Sequence, residues 1–281
     1  MREIDAAAIR RTVKRLFLDA NYHIGEDVLA ALEEARDNEL SGTGRSVLNM
    51  IIENHHVASQ EQVAICQDTG MAVLFVDLGQ EVHIVGGDWR EAIDQGVEDA
   101  YRDGYLRESV VEDPVFDRKN SGTNSPAIVY TDVVPGDKIR FLVTPKGFGS
   151  ENMSAMAMMT PAHGPEDVKR FVAETIQKAG GNPCPPTIVG IGIGGTAEKA
   201  MLLAKRATLR RIGEHNPDER YAQLERCILE EINGLGIGPA GLGGKTTALA
   251  VHIEYYATHI AGMPVAVNVC CHACRHAEAI L

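Results

Sequence analysis

The 281-residue chain has no run of lysine and arginine that could track a phosphate backbone, and its 27 basic residues are outnumbered by 39 acidic ones, for a formal charge of -12. That balance removes nucleic acid from the expected partners. It also repels an acidic ligand, so a site for one must bring its own Arg, Lys or metal charge. No apolar stretch reaches the roughly 20 residues of a membrane span, and the start, MREIDAAAIRRTVKRLFLDANY, lacks the apolar core of a secretory signal. A soluble, cytoplasmic protein without a membrane partner is expected. Six cysteines are too sparse and uneven for a disulfide framework; metal binding, redox chemistry or plain burial remain. No repeat, low-complexity tract or Ser/Pro-rich linker divides the chain.

What is present is a change of period. Ile9, Val13, Leu16 and Phe17, then Val28, Leu29 and Leu32, then Val47, Leu48, Ile51 and Ile52 follow helical spacing over about the first 60 residues. Strand-like segments follow at AVLFVDL (72–78) and VHIV (82–85), then a helix carrying Ile93, Val97, Ala100 and Tyr101. The segment PAIVYTDVVPGDKIRFLVTP (126–145) places two β-branched runs around Pro135-Gly136-Asp137 and predicts an antiparallel hairpin. Val168, Phe171, Val172 and Ile176 mark a helix, PPTIVGIGI (185–193) a strand, and Thr196 to Ala207 another helix. Tyr221, Leu224, Ile228 and Ile232 mark a further helix, and PVAVNV (264–269) a last strand. The expected fold class is α/β: a single mixed α/β domain over 1–281, with a helical N-terminal layer over 1–60.

Two glycine motifs invite familiar readings. GIGIGG (190–195) satisfies G-x-G-x-x-G between a predicted strand and helix, which makes an NAD-binding oxidoreductase a rival. That reading asks for a strand ending in an acidic residue about 20 positions on, and LRRIGEHNPDE stands there instead. GPAGLGGKTT suggests a phosphate loop, but five residues before Gly244 is Pro239, where a glycine is required. A backbone cradle for a carboxylate survives where a nucleotide site does not.

The tail NVCCHACRHAEAIL supplies Cys271-x-x-Cys274 with His272 and His276, half of a structural zinc site, so a zinc-binding interaction module is a second rival. Cys227, beside Ile228 on a helix, reads as a small hydrophobe, and the methionines of ENMSAMAMMT read as packing. Cys66 in CQDTG and Cys184 in NPCPPTIVG differ, because both stand at loop-to-strand junctions where ligands can converge.

In order and over nearly the whole chain, ICQDTG, GYLRESVV, KGFGSENMS, NPCPPTIVGIGIGGTAEKA, LGIGPAGLGGKTTALAVHIE and HIAGMPVAVNVCCHACRHA resemble the alpha subunit of the iron-sulfur class I fumarate hydratases. The L-tartrate dehydratase alpha subunit is a close relative of that family. The resemblance implies an Fe-S hydro-lyase alpha-type domain with a 4Fe-4S cluster on Cys66, Cys184 and Cys271. Cys270 and Cys274 stand where the family more often carries other residues. Three thiolates in place of the usual four leave one iron open as a Lewis acid for a substrate hydroxyl, without redox change.

By the same resemblance Gln67 and Asp68 face the substrate, Asp68 in hydrogen bonding or proton transfer, and Arg107 of GYLRES binds a carboxylate. A guanidinium fork suits that task. Gly149 would offer a backbone amide, and His259 of THIAGMP would approach Asp68 or the substrate, from the same or a neighbouring protomer. The implied reaction interconverts fumarate and (S)-malate, with L-tartrate dehydration the close alternative and GFGSEN favouring the former. A beta subunit is the implied partner, supplying a Thr base and further Arg/Lys contacts in an α2β2 assembly. Cys271 lies only ten residues before Leu281, which leaves little chain to cover the site.

Overall fold

The computed structural model describes all 281 residues and opens with β1 (Arg2–Asp5), α1 (Ala6–Tyr22), α2 (Glu26–Asn38) and α3 (Gly42–Glu61). Next come β2 (Met71–Gly79), β3 (Val82–Val85), α4 (Trp89–Asp103), β4 (Ile128–Val134) and β5 (Ile139–Lys146). A single turn, α5 (Phe148–Glu151), leads to β6 (Ala155–Met159), α6 (Pro165–Ala179), β7 (Thr187–Gly194) and α7 (Ala197–Ala207). The chain closes with α8 (Glu219–Gly234), β8 (Ala248–Tyr256), β9 (Met263–Cys270) and β10 (Ala277–Ile280). Mixed α/β is therefore the fold class, as expected. Two compact units divide the elements: Met1–Ile24, His55–Phe148 and Arg275–Leu281 form one, Gly25–Asn54 and Gly149–Cys274 the other. The three helices expected over the first 60 residues are present, with α1 packed on α4 in the first unit and α2 on β8 in the second.

In the first unit a four-stranded sheet runs in the order β10-β5-β2-β4, with β2 and β4 parallel and the remaining pairs antiparallel. Asp5 caps α1, its carboxylate accepting the Ala7 N–H at 2.7 Å, and Asp88 caps α4 through the Glu91 N–H at 2.9 Å. The two helices interlock where Ile9, Val13 and Phe17 meet Ile93, Val97 and Tyr101 in one apolar cluster. Gly96 sits inside α4 because a Cβ there would lie 2.7 Å from the Arg10 carbonyl oxygen, so the helices approach more closely than any side chain allows.

The predicted hairpin over 126–145 does not form. β4 and β5 both pair with β2, which lies between them. The turn residues are present, but they carry the chain across the end of β2 rather than back onto β4. Gly79 donates to Lys138 O at 2.9 Å, Gln80 to Val134 O at 2.9 Å and Glu81 to Gly136 O at 3.0 Å. Alternation in sequence identifies a strand and not its neighbour.

The second unit is built on a sheet of order β6-β9-β7-β8, in which only β7 and β8 are parallel. β7 is buried along its whole length. Val189, Ile191 and Ile193 pack with residues of α6 and α8 such as Val172 and Ile228. Gly190 and Gly192 alternate with them and face α7, where a Cβ would lie 2.0 Å from the carbonyl oxygens of Ala204 and Ala200. These glycines of GIGIGG stand within a strand, admitting a helix against it. They do not form a turn that could cradle a pyrophosphate, and the dinucleotide reading loses its support. On the edge strand β6, Met156 and Met158 are 42% and 61% exposed, so only Met153 and Met159 of that methionine run pack inward as expected.

The second glycine motif is a carboxylate cradle, and the chain fills it. Glu39, just past α2, is fully buried, its Oε1 accepting from the N–H groups of Ser41 (3.0 Å) and Lys245 (2.9 Å). Its Oε2 accepts from Lys245 (3.0 Å) and Thr246 (3.1 Å). Burial pushes the Glu39 carboxyl up, but these backbone donors outweigh it and the pKa is lowered. Because the folded-state value is depressed, the stabilisation is present above the ordinary glutamate value of 4.5 and is lost as pH falls through the lowered one. Glu39→Gln is expected to cost about 2–4 kcal/mol at neutral pH through loss of charge-assisted bonds, and to flatten the acid side of the stability curve. Urea unfolding at stepped pH measures both; an unchanged acid slope would contradict the cradle.

Candidate active site

The expected site residues divide between the units: Cys66, Gln67, Asp68 and Arg107 belong to the first, Gly149, Cys184, His259 and Cys271 to the second. Cys66 to Gly70 form the turn that enters β2. The Cys66 thiol is half-buried and lies 3.3 Å from Gln67 Oε1. Asp68 presents both carboxylate oxygens to backbone donors, Oδ1 to Gly70 N–H at 3.0 Å and Oδ2 to Phe148 N–H at 2.8 Å. Phe148 directly precedes Gly149, which is exposed. Gly70 itself is required, with φ +78° and only 2.5 Å between a Cβ and the Pro145 carbonyl carbon.

Buried side chains hold the backbone of this turn. The Tyr101 hydroxyl donates to Thr69 O at 2.6 Å and Gly70 O at 2.9 Å. Burial raises the phenol above its ordinary range, so the hydroxyl stays a donor. Asn124, fully buried, donates to Gly70 O at 3.1 Å and accepts the Ser109 N–H at 2.8 Å. Thr69 Oγ1 donates to Arg107 O at 2.8 Å. The exposed Arg107 side chain therefore projects from a backbone tied to the Asp68 turn through its own carbonyl and, two residues on, through Ser109 and Asn124. Arg275, almost fully buried, donates through Nη2 to the carbonyl of Asp68. Tyr101, Asn124 and Arg275 are the residues that sequence reasoning missed as part of the site. The spacing of Tyr101 marks it only as a core position, and Arg275, among the Cys and His residues of the tail, carries no motif of its own.

In the second unit Cys184 is exposed and has φ +54°, a left-handed backbone that costs a residue with a Cβ on the order of 1–2 kcal/mol. Its carbonyl accepts the His272 N–H at 3.3 Å, so the loop before β7 and the loop after β9 are joined. Cys271 stands in the latter. Of the three tail cysteines it is the half-exposed one: Cys270 is buried opposite Ile188, and Cys274 is buried with its thiol donating to Thr208 O at 3.3 Å. The Cys271-x-x-Cys274 pair of the zinc reading is thus split between surface and core. No group of three His, Cys, Asp or Glu side chains is arranged to hold a metal ion.

His259 lies in the exposed loop between β8 and β9, its Nδ1 accepting the Ala261 N–H at 3.2 Å. The bond from Gly195 N–H to Ala257 O sets that loop at the far end of β7 from Cys184. At about 3.3 Å per residue, the eight residues of β7 separate the two ends by about 25 Å. Within one chain His259 does not join Cys184 and Cys271.

A family model described as fumarate hydratase (Fumerase) matches residues 10–280. The chain belongs to the fumarate hydratase family. It is 45% identical over 278 residues to a Methanocaldococcus jannaschii chain named "Putative L(+)-tartrate dehydratase subunit alpha", covering 96% of each. It is 35% identical over 252 residues to the L(+)-tartrate dehydratase subunit alpha of Escherichia coli strain UTI89, covering 89% of this chain and 83% of that one. A fumarate hydratase family member is a hydro-lyase.

Asn124→Ala removes one donor and one acceptor that hold Gly70 and Ser109. It is expected to cost about 1–3 kcal/mol in urea unfolding, because the Gly70 carbonyl and the Ser109 N–H lose their partner. An unchanged unfolding midpoint would contradict that role.

Proposed function

We propose that this chain is the alpha subunit of a 4Fe-4S hydro-lyase that interconverts fumarate and (S)-malate. The observation that carries the proposal is the Cys66–Asp68 turn: thiol, amide and carboxylate stand on consecutive residues whose backbone is fixed by buried Tyr101, Asn124 and Arg275. Cys66, Cys184 and Cys271 would hold the cluster. A donor set of sulfur alone suits iron-sulfur chemistry, and the Cys184 and Cys271 loops adjoin. Cys184 also occupies a left-handed position where glycine would be less strained, which fits a thiol retained for its chemistry. When bound, the cluster supplies a Lewis-acidic iron for the substrate hydroxyl.

The chain's own residues would bind and orient the substrate. Each Asp68 oxygen already accepts one backbone N–H and keeps a second lone pair for the substrate or its proton. Gln67 offers its amide, Arg107 forks onto one carboxylate, and Gly149 offers its N–H to the other. His259 acts from a neighbouring copy. The relatives' names, as alpha subunits, support a beta partner here, which brings the Thr base and further Arg/Lys contacts in a cytoplasmic α2β2 enzyme. Residues 1–281 serve as one Fe-S hydro-lyase alpha-type domain. L-Tartrate dehydration is the second reading, favoured by the names of those relatives.

Anaerobic reconstitution of the chain with iron and sulfide tests the cysteines. Wild type is expected to take up the cluster, read by absorption and by EPR after reduction with dithionite, Cys66→Ser to lose most of it, and Cys227→Ser to keep it; an intact cluster in Cys66→Ser would overturn the assignment. With the beta partner added, fumarate hydration is expected to exceed L-tartrate dehydration at least tenfold in kcat/KM. The reverse ratio would select the second reading. Activity should fall on exposure to air, and the chain alone should be inactive.

A further inference from the structure

Arg275 is 3% exposed. One nitrogen, Nη2, donates to the carbonyl of Asp68, while neither Nε nor Nη1 has an acceptor. No carboxylate pairs with it, for Asp68 turns its own oxygens to Gly70 and Phe148. A guanidinium cannot escape burial by losing its proton, and an uncompensated buried charge is costly. The buried carboxylates of this chain are answered: Glu225 pairs with Arg210 at 2.8 Å, Asp99 with Arg10 at 2.6 Å, and Glu39 fills its cradle. Arg275, in contrast, keeps two guanidinium nitrogens without an acceptor, and it stands against the turn that carries Cys66 and Asp68.

We propose that Arg275 is a positioning residue that fixes the Asp68 peptide with Nη2 and holds Nε and Nη1 for anionic charge brought beside Cys66–Asp68. This rests on the reading of that turn as the substrate and cluster site. The charge has two possible sources of one chemistry, a substrate carboxylate or the thiolate-ligated cluster. With a formal charge of -12, the chain repels either anion, and a local buried cation answers the need that composition raised.

The test compares wild type with Arg275→Gln and Arg275→Lys in the reconstituted enzyme with its beta partner, after far-UV circular dichroism and thermal melts of each. If the cluster is the anion, Arg275→Gln is expected to lose at least half its iron and to shift the cluster EPR signal before substrate is added. If the substrate is the anion, iron and EPR stay as in wild type, KM rises at least tenfold, and the malate-induced EPR change is lost. In both cases Arg275→Lys restores the cation and recovers most of the loss. Equal defects in both variants that track a lower melting temperature would make Arg275 a structural peg only and overturn the proposal, as would wild-type behaviour of Arg275→Gln. A wild type that takes up no cluster defeats the functional reading instead. In that event a malate-dependent rise in the melting temperature of wild type, absent in Arg275→Gln, still supports Arg275 as an anion site, and equal rises overturn it.

Discussion

The Tyr101 hydroxyl is the contact on which the arrangement around Asp68 depends. It reaches the carbonyls of Thr69 and Gly70 from inside the core, where no water can replace it. Its position is set by the close approach of α1 and α4, which Gly96 permits. The chain of cause therefore runs from helix packing to a buried donor, from the donor to the backbone of the turn, and from that backbone to the direction of the Asp68 carboxylate. Gly70 completes it by adopting a left-handed conformation directly before β2. A change deep in the α1–α4 contact would be felt at the carboxylate without touching it.

The second unit reaches rigidity by another route. Its central strand alternates branched side chains with glycines, so that one face interdigitates with α6 and α8 while the other admits α7 to backbone contact. The loop carrying Cys184 enters that strand, and the loop carrying Cys271 leaves its antiparallel neighbour. Two cysteines distant in sequence thus share one end of a sheet whose strands cannot slide.

Much of the secondary structure was legible in the sequence because apolar period is a property of the side chains themselves. β2, β3, α4, α7 and β9 stand close to where spacing put them. The exchange of neighbours around β2 was not legible, since Pro135-Gly136-Asp137 encodes a turn whether the next strand pairs with β4 or crosses beyond β2. β1, β6, β8 and β10 went unread: short edge strands and near-continuous apolar runs carry little alternation. The missed site residues share one reason. Tyr101, Asn124 and Arg275 all bind backbone carbonyls, and a carbonyl has no letter in a sequence. Choosing Cys271 over Cys270 came from resemblance alone; in the fold Cys270 is buried at the end of β9, and Cys271 stands half-buried in the loop after it.

The filled cradle of Glu39 has a consequence for how glycine-rich loops are interpreted. A carboxylate on the same chain competes for the backbone donors at an effective concentration set by its tether, which a free anion cannot match in bulk. GLGGKTT in this chain is therefore a clasp between distant segments, and the feature that makes such a loop resemble a nucleotide site is the same one that closes it to nucleotides. A glycine-rich signature becomes a binding site only where the chain withholds an anion of its own.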